Sequence, residues 1–169
     1  RGLALATDGN SRMCYLNPSV GGAMAVVEAC RNLVCTGARP LAITDCLNFG
    51  DPERPEVAYQ LQQAVQGIVR ACQAMNVPVV SGNVSLYNKT KGEPVYPTPV
   101  VGALGLVEDV TRHCGSAFRQ DGDVVLLLGA SSVGAEAGSV AGSEYLEVVH
   151  NLVAGQPALD LALEARVQD

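Results

Sequence analysis

An α+β fold built on a mixed sheet is the architecture this sequence predicts, and three observations carry it. Short apolar runs of strand length alternate with longer runs of helical spacing, in the order β-β-α-β-α-β-β. Two of the short runs, Leu41-Ala42-Ile43 and Val77-Pro78-Val79-Val80, end abruptly in small, hydroxyl and amide residues. Apolar residues make up 48% of the 169 positions and charged residues 17%, enough apolar side chain for a core.

Taken in order, Leu3 to Ala6 and Met13 to Leu16 read as strands separated by the polar turn Thr7 to Arg12. Pro18-Ser19 opens a helix, with Ser19 as the candidate N-cap. Ala23, Met24, Val26, Val27, Cys30, Leu33 and Val34 then keep near-helical spacing, and Gly37 stands at the C′ position that ends it. The run Leu41 to Ile43 is the next strand. A proline-rich loop, Asn48 to Pro55, follows it and is of the kind that covers a site.

Pro55 suits the first turn of a second helix reaching Met75, with Val57, Leu61, Ala64, Val65, Ile68, Val69 and Cys72 at intervals of three and four. Val77 to Val80 forms a strand. Val100 to Val107 reads as a buried strand whose two glycines allow close packing. The polar stretch Glu108 to Gly122 marks a boundary, so residues 1–120 form one unit and 121–169 begin another. In the second unit Val124 to Leu128 reads as a strand, Gly129 to Gly142 as a loop, Leu146 to Val153 as a short helix, and Leu159 to Val167 as a helix that is cut off. With Arg1 in place of an initiator methionine, the sequence is expected to be a piece of a longer protein.

A net charge of −6 argues against nucleic acid as a main partner. Six cysteines lie at 14, 30, 35, 46, 72 and 114 with no CxxC pair and two histidines, so no zinc spacing is present. Buried reduced thiols are the expected state, which points to a cytoplasmic setting. No apolar run reaches membrane-spanning length.

The chemistry concentrates after the two short strands. Thr44, Asp45 and Asn48 follow the first; Ser81, Gly82, Asn83, Ser85 and Asn88 follow the second. α/β-type proteins place ligands beyond such strand ends. Oxygen donors of this kind suit magnesium and phosphate better than zinc or iron. Asp45 is equally readable as a turn cap, and Gly82 as a residue supplying a positive φ. Asp8, Asn10, Arg12, Glu28, Arg31 and Asn32 either line a second nucleotide site or form a polar network between helix and sheet. Gly138 to Tyr145 is the segment most like a phosphate loop, but it lacks the G-x-x-x-x-G-K-[ST] pattern and reads as a connection. Cys46, with no base or cation in view, reads as packing.

The segments TDGNSRMCYLNP, GGAMAVVEACRNLVCTGARPLAITDCLNFGDPERPEV, SGNVSLYN and YPTPVVGALGLVED closely resemble the phosphoribosylformylglycinamidine synthase family. The likeness is to the synthetase subunit in its shorter bacterial form, and it extends to GDVVLLLG and GSEYL. It implies the amino-terminal subdomain of that protein's second repeat, with an aminoimidazole ribonucleotide synthetase-like fold (half of a β-barrel flanked by helices), followed by the start of the carboxy-terminal subdomain. It further implies ATP and Mg2+ as cofactors, formylglycinamide ribonucleotide as substrate, and partners in the first half of the same chain, a glutaminase subunit and a small accessory subunit. Carried over by motif, Asp45 and Gly82 contact ATP, Asn83 binds magnesium and Ser85 contacts the substrate. The catalytic histidine belongs to the other half, and neither His113 nor His150 matches its motif. Alternatives within reach of the sequence are a nucleotide-binding half with a purely structural role, or another ATP-dependent enzyme of the same superfamily.

Overall fold

The computed structural model describes residues 1–126 and 140–169. Strand β1 (Gly2–Asp8) leads through a turn into helix α1 (Ser11–Leu16) and then α2 (Pro18–Cys35). Strand β2 (Arg39–Asn48) is followed by α3 (Pro55–Met75), β3 (Val79–Ser85), a small hairpin of β4 (Lys89–Thr90) and β5 (Glu93–Pro94), and β6 (Thr98–Val107). Beyond a single 3-10 turn at Val110–Arg112 lie α4 (Glu144–His150) and α5 (Leu161–Gln168).

The four long strands form one mixed sheet in the order β1-β6-β2-β3. β6 runs antiparallel to both β1 and β2, while β2 and β3 are parallel, as the intervening helix α3 requires. Both long helices lie on the same face. Val26, Val27, Cys30 and Leu33 of α2, with Ala64, Ile68 and Ala71 of α3, close over Ile43, Leu47, Val101 and Ala103 of the sheet. The two helices cross closely because position 67 is glycine: a Cβ there would come within 2.0 Å of the Ser19 carbonyl oxygen.

Among the described residues, the other face of the sheet carries no helix. Along β6 the burial alternates strictly, with Pro99, Val101, Ala103, Gly105 and Val107 buried and the residues between them only partly covered. This strand was expected to be buried throughout; the period of two instead reports one covered face and one open face. Leu3 and Leu5 of β1 stand on the open side, 72% and 80% exposed.

The helix from Pro55 to Met75 has the bounds that the periodicity predicts, and Gly37 carries the positive φ expected of a C′ residue. Other expectations need correction. Met13–Leu16 lies in α1, because the Asn10 side chain accepts a hydrogen bond from the Met13 N–H and caps a helix there. The α2 cap is Asn17, whose Oδ1 accepts from the Val20 N–H, which leaves Ser19 inside the first turn. The helix expected from Leu146 to Val153 is α4, which starts earlier because Ser143 caps it and stops at Asn151 in the left-handed conformation. Val124 to Leu126 form no regular strand, and the rest of that expected strand, with most of the glycine-rich connection, lies outside the described residues.

The carboxy-terminal helices are fastened by ion pairs. Arg31 of α2 meets Glu164 of α5 at 2.8 Å, and Gln168 donates to the Val27 carbonyl at 3.2 Å. Arg12 of α1 pairs with both Glu144 and Glu147 of α4. Asn10, Arg12 and Arg31 therefore make their contacts within the chain, Asn10 as the cap of α1 and the two arginines to the carboxy-terminal helices. Burial raises the Asp8 and Glu28 carboxyls above their ordinary values; Asp8 also repels Glu28, and Arg31 partly offsets both shifts.

Candidate functional site: two faces of one edge strand

All the candidate residues after the two short apolar runs lie in or beside β2 and β3, and the pairing register sorts them. Thr44 faces Ser81, Asp45 faces Gly82, Cys46 faces Asn83, Leu47 faces Val84 and Asn48 faces Ser85. A register shift between Ile43 and Thr44 leaves Val80 without a partner and sets this phase. The strands were expected to end before these residues. They continue instead through Asn48 and Ser85, because parallel pairing satisfies the polar segment's main chain as well as it does the apolar segment's.

Alternation along β2 then divides the candidates. Ile43 and Leu47 are buried against the helices, so Asp45 and its partner Gly82 belong to the helix side. Thr44, Cys46 and Asn48 belong to the open side, and with them Ser81, Asn83 and Ser85. The hydroxyls confirm this sorting, since Ser81 Oγ donates to Thr44 Oγ1 at 2.8 Å. Asp45 and Gly82 thus sit on one face, and Asn83 and Ser85 on the other. β3 is an edge strand, exposed along nearly its whole length, so both sets flank an uncovered edge.

Asp45 is partly buried, and that burial raises its carboxyl above the ordinary aspartate value. Its neighbour on α3 is Cys72, whose thiol is pushed up to about 11 by burial and, secondarily, by the Asp45 charge. The spacing in the sequence ties nothing at position 72 to position 45; only the packing of α3 over β2 brings them together. A Cβ at Gly82 would lie 2.2 Å from Asp45 Oδ1, so the carboxyl group lies directly over the Gly82 main chain.

Two of the expected ligands are committed elsewhere. Asn48 Nδ2 donates to the carbonyls of Cys46 at 3.1 Å and Thr98 at 3.2 Å, which ties β2 to the start of β6. Asn88 Nδ2 donates to the carbonyls of Ser85 at 2.9 Å and Phe49 at 3.0 Å, clasping the loop after β3 to the loop after β2. Phe49 itself is fully buried. The Asn88 side chain also lies at hydrogen-bond distance from the Ser85 hydroxyl and so positions it. Asn83, by contrast, presents its amide on the open face.

No group of three or more His, Cys, Asp or Glu side chains that could hold a metal occurs among the described residues. Asn83 fits a magnesium ion as one oxygen donor, and its neighbours Cys46, Ser81 and Ser85 add no carboxylate. Among the described residues no helix is long and apolar enough to cross a membrane.

The chain is 57% identical over 169 residues to the phosphoribosylformylglycinamidine synthase subunit PurL of Moorella thermoacetica, and 56% identical over 168 residues to that of Thermomicrobium roseum. In each case it covers 99% of this chain and 22% of the relative, so the chain spans about a fifth of the length of these proteins. Among solved structures, PurL of Thermotoga maritima complexed with ATP matches with a TM-score of 0.58 and 41% identity, over 62% of this chain and 18% of that one. The same protein complexed with FGAR matches equally well, over 62% of this chain and 17% of that one. Thiamine monophosphate kinase of Aquifex aeolicus, at 22% identity and a TM-score of 0.51 over 67% of this chain and 35% of that one, shares the fold. Residues 1–107 match the family model described as AIR synthase related protein, N-terminal domain. That match spans β1 through β6, the whole sheet and both long helices, and by it the chain belongs to the AIR synthase related family.

Proposed function

We propose that this chain is the second-repeat portion of an ATP-dependent carbon–nitrogen ligase of purine synthesis, divided at 1–120 and 121–169. The whole enzyme converts formylglycinamide ribonucleotide, glutamine-derived ammonia and ATP to formylglycinamidine ribonucleotide, ADP and phosphate. ATP phosphorylates the substrate's amide oxygen to an iminophosphate, and ammonia then displaces that phosphate. The observation that carries the reading is the polar ladder on the open face of the sheet, where Asn83 and Ser85 stand in consecutive same-side rows beside an uncovered edge.

The roles follow the chemistry of each group. Asp45 holds the nucleotide at the helix side of the edge, and Gly82 belongs to the same ATP site. Asn83 lends one neutral oxygen to Mg2+, and Ser85, positioned by Asn88, donates to the ribonucleotide. Mg2+, when bound, neutralises phosphate charge during phosphoryl transfer. Asn83 would supply at most one oxygen to the ion, and the other ligands would come from phosphates, water and the first half of the chain. The same argument makes this portion by itself catalytically silent.

The exposed apolar residues Leu3 and Leu5 support a partner sheet on the open face, which in the whole protein is the first repeat. A glutaminase and a small accessory subunit supply ammonia in the assembled complex, in the cytoplasm.

The test is ammonia-dependent ADP release by full-length protein carrying Asn83→Ala, given formylglycinamide ribonucleotide and Mg-ATP. The reading expects turnover to collapse with the melting temperature unchanged. Surviving turnover would make this portion a scaffold that binds nucleotide for structure alone.

A further inference from the structure

Gly82 is a residue without a side chain, yet it stands opposite the one carboxylate of the site. In the β2–β3 register it pairs with Asp45, and both residues point to the helix side. A methyl group placed on Gly82 would meet Asp45 Oδ1 at 2.2 Å, the Asp45 carbonyl oxygen at 2.8 Å and Asp45 Cγ at 2.9 Å. Two of these three atoms belong to the carboxyl group. Its position over the edge strand therefore exists only because the space above residue 82 is empty. The backbone of Gly82 is not in the left-handed region, so a turn conformation does not explain the glycine.

Ile43 and Leu47 fill the helix side of β2 before and after Asp45, and Val101 of β6 is its partner on the other flank. Cys72 of α3 lies near enough to feel the Asp45 charge. Leaning over Gly82 carries the carboxyl group toward the exposed edge strand.

We infer that Gly82 is a positioning residue: it acts in nucleotide binding by seating the Asp45 carboxylate over the edge of β3, and not by a contact of its own. The inference rests on the proposed nucleotide role of Asp45 and sharpens it. In this arrangement a side chain at 82 displaces the carboxylate, and removing the carboxylate leaves residue 82 without a function to lose.

A double-mutant cycle in the full-length protein decides the matter. Gly82→Ala, Asp45→Ala and the pair are compared for KM of ATP and kcat in ammonia-dependent ADP release. Gly82→Ala is expected to raise the KM of ATP by about ten- to a hundredfold, the size of a lost hydrogen bond to a charged group. Asp45→Ala is expected to do the same, and the pair to be no worse than Asp45→Ala alone. Effects that multiply in the pair would overturn the inference, since Gly82 would then touch the nucleotide independently. A wild-type KM in Gly82→Ala beside a raised one in Asp45→Ala would overturn it too.

If Asp45→Ala leaves KM unchanged, the nucleotide role of Asp45 fails, and melting temperatures then decide the seat by itself. Gly82→Ala is expected to lower the melting temperature, and adding Asp45→Gly to restore the part of the loss due to the carboxyl group, the Asp45 carbonyl oxygen at 2.8 Å keeping the rest. No restoration would show that the carboxyl group does not occupy that space, and the seat would fall with it.

Discussion

Ser81 and Thr44 face each other across β3 and β2, the Ser81 hydroxyl donating to Thr44 Oγ1 at 2.8 Å on the face of the sheet that the helices leave open. This bond reports the phase of the whole polar ladder, which the register shift between Ile43 and Thr44 sets. Given that Thr44 and Ser81 look outward, Asp45 and Gly82 must look toward the helices, and Asn83 and Ser85 must look outward again. The chemistry of the site therefore depends on a strand register more than on a loop.

Removing that bond should cost little stability. Thr44→Val is expected to lower unfolding free energy by about 0.5–1.5 kcal/mol, the net worth of one exchanged hydrogen bond at the lower end for a solvated pair. Urea denaturation with an unchanged m-value checks it. A loss of several kcal/mol would mean that the pair holds the register.

The helix crossing is more sensitive. Gly67→Ala inserts a methyl group where the Ser19 carbonyl oxygen would be 2.0 Å away, main chain that cannot swing aside. The expected cost is about 1–3 kcal/mol from forced separation of α2 and α3. A melting temperature equal to that of the parent would refute the close crossing.

Burial of carboxyls sets a pH dependence with a definite sign. The Glu28 carboxyl lies above its ordinary 4.5 because burial, Asp8 and Glu164 disfavour its charge more than Arg31 favours it. A group with a raised folded-state pKa binds protons more readily when folded, so stability falls as pH climbs from the unfolded value through the raised one. Glu28→Gln is accordingly expected to be more stable than the parent at pH 7, with the advantage gone near pH 4. Thermal melts of the two proteins across that range make the comparison, and an advantage that grows on acidification would contradict it.

Thiol reactivity should separate the six cysteines. Cys35 and Cys114 are exposed, while Cys14, Cys30 and Cys72 are buried, with thiols pushed up to about 12, about 11 and about 11 by loss of hydration. A maleimide at neutral pH is expected to label Cys35 and Cys114 first and the three buried residues only after unfolding, as read by peptide mass spectrometry. Early labelling of Cys30 would show that the interface between α2 and α3 opens.

The open face makes a last prediction. A separate copy of this chain leaves Leu3 and Leu5 uncovered, and two such sheets can cover one another. Light scattering at micromolar concentration is expected to show a homodimer, and Leu5→Asp to return it to a monomer. A monomeric parent would count against the pairing.

The sequence by itself determined the elements whose cause is local. The spacing of Val57, Ala64, Ile68 and Cys72 marked α3 from Pro55 to Met75, and Gly37 marked the end of α2, because helical period and left-handed caps are properties of neighbouring residues. It also brought forward the residues of the site, since amides and hydroxyls directly after apolar runs stand out in any register. What it misread was again local in appearance: Met13 to Leu16 looks like a strand until Asn10 is seen to cap it. Only the tertiary structure decided which face each site residue occupies, because a period of two is blind to a register shift at Ile43 and Thr44. Only it made β3 an edge, committed Asn48 and Asn88 to the main chain, and laid the Asp45 carboxyl group over Gly82. Those relationships join residues tens of positions apart, and long-range packing, which no local pattern records, creates them.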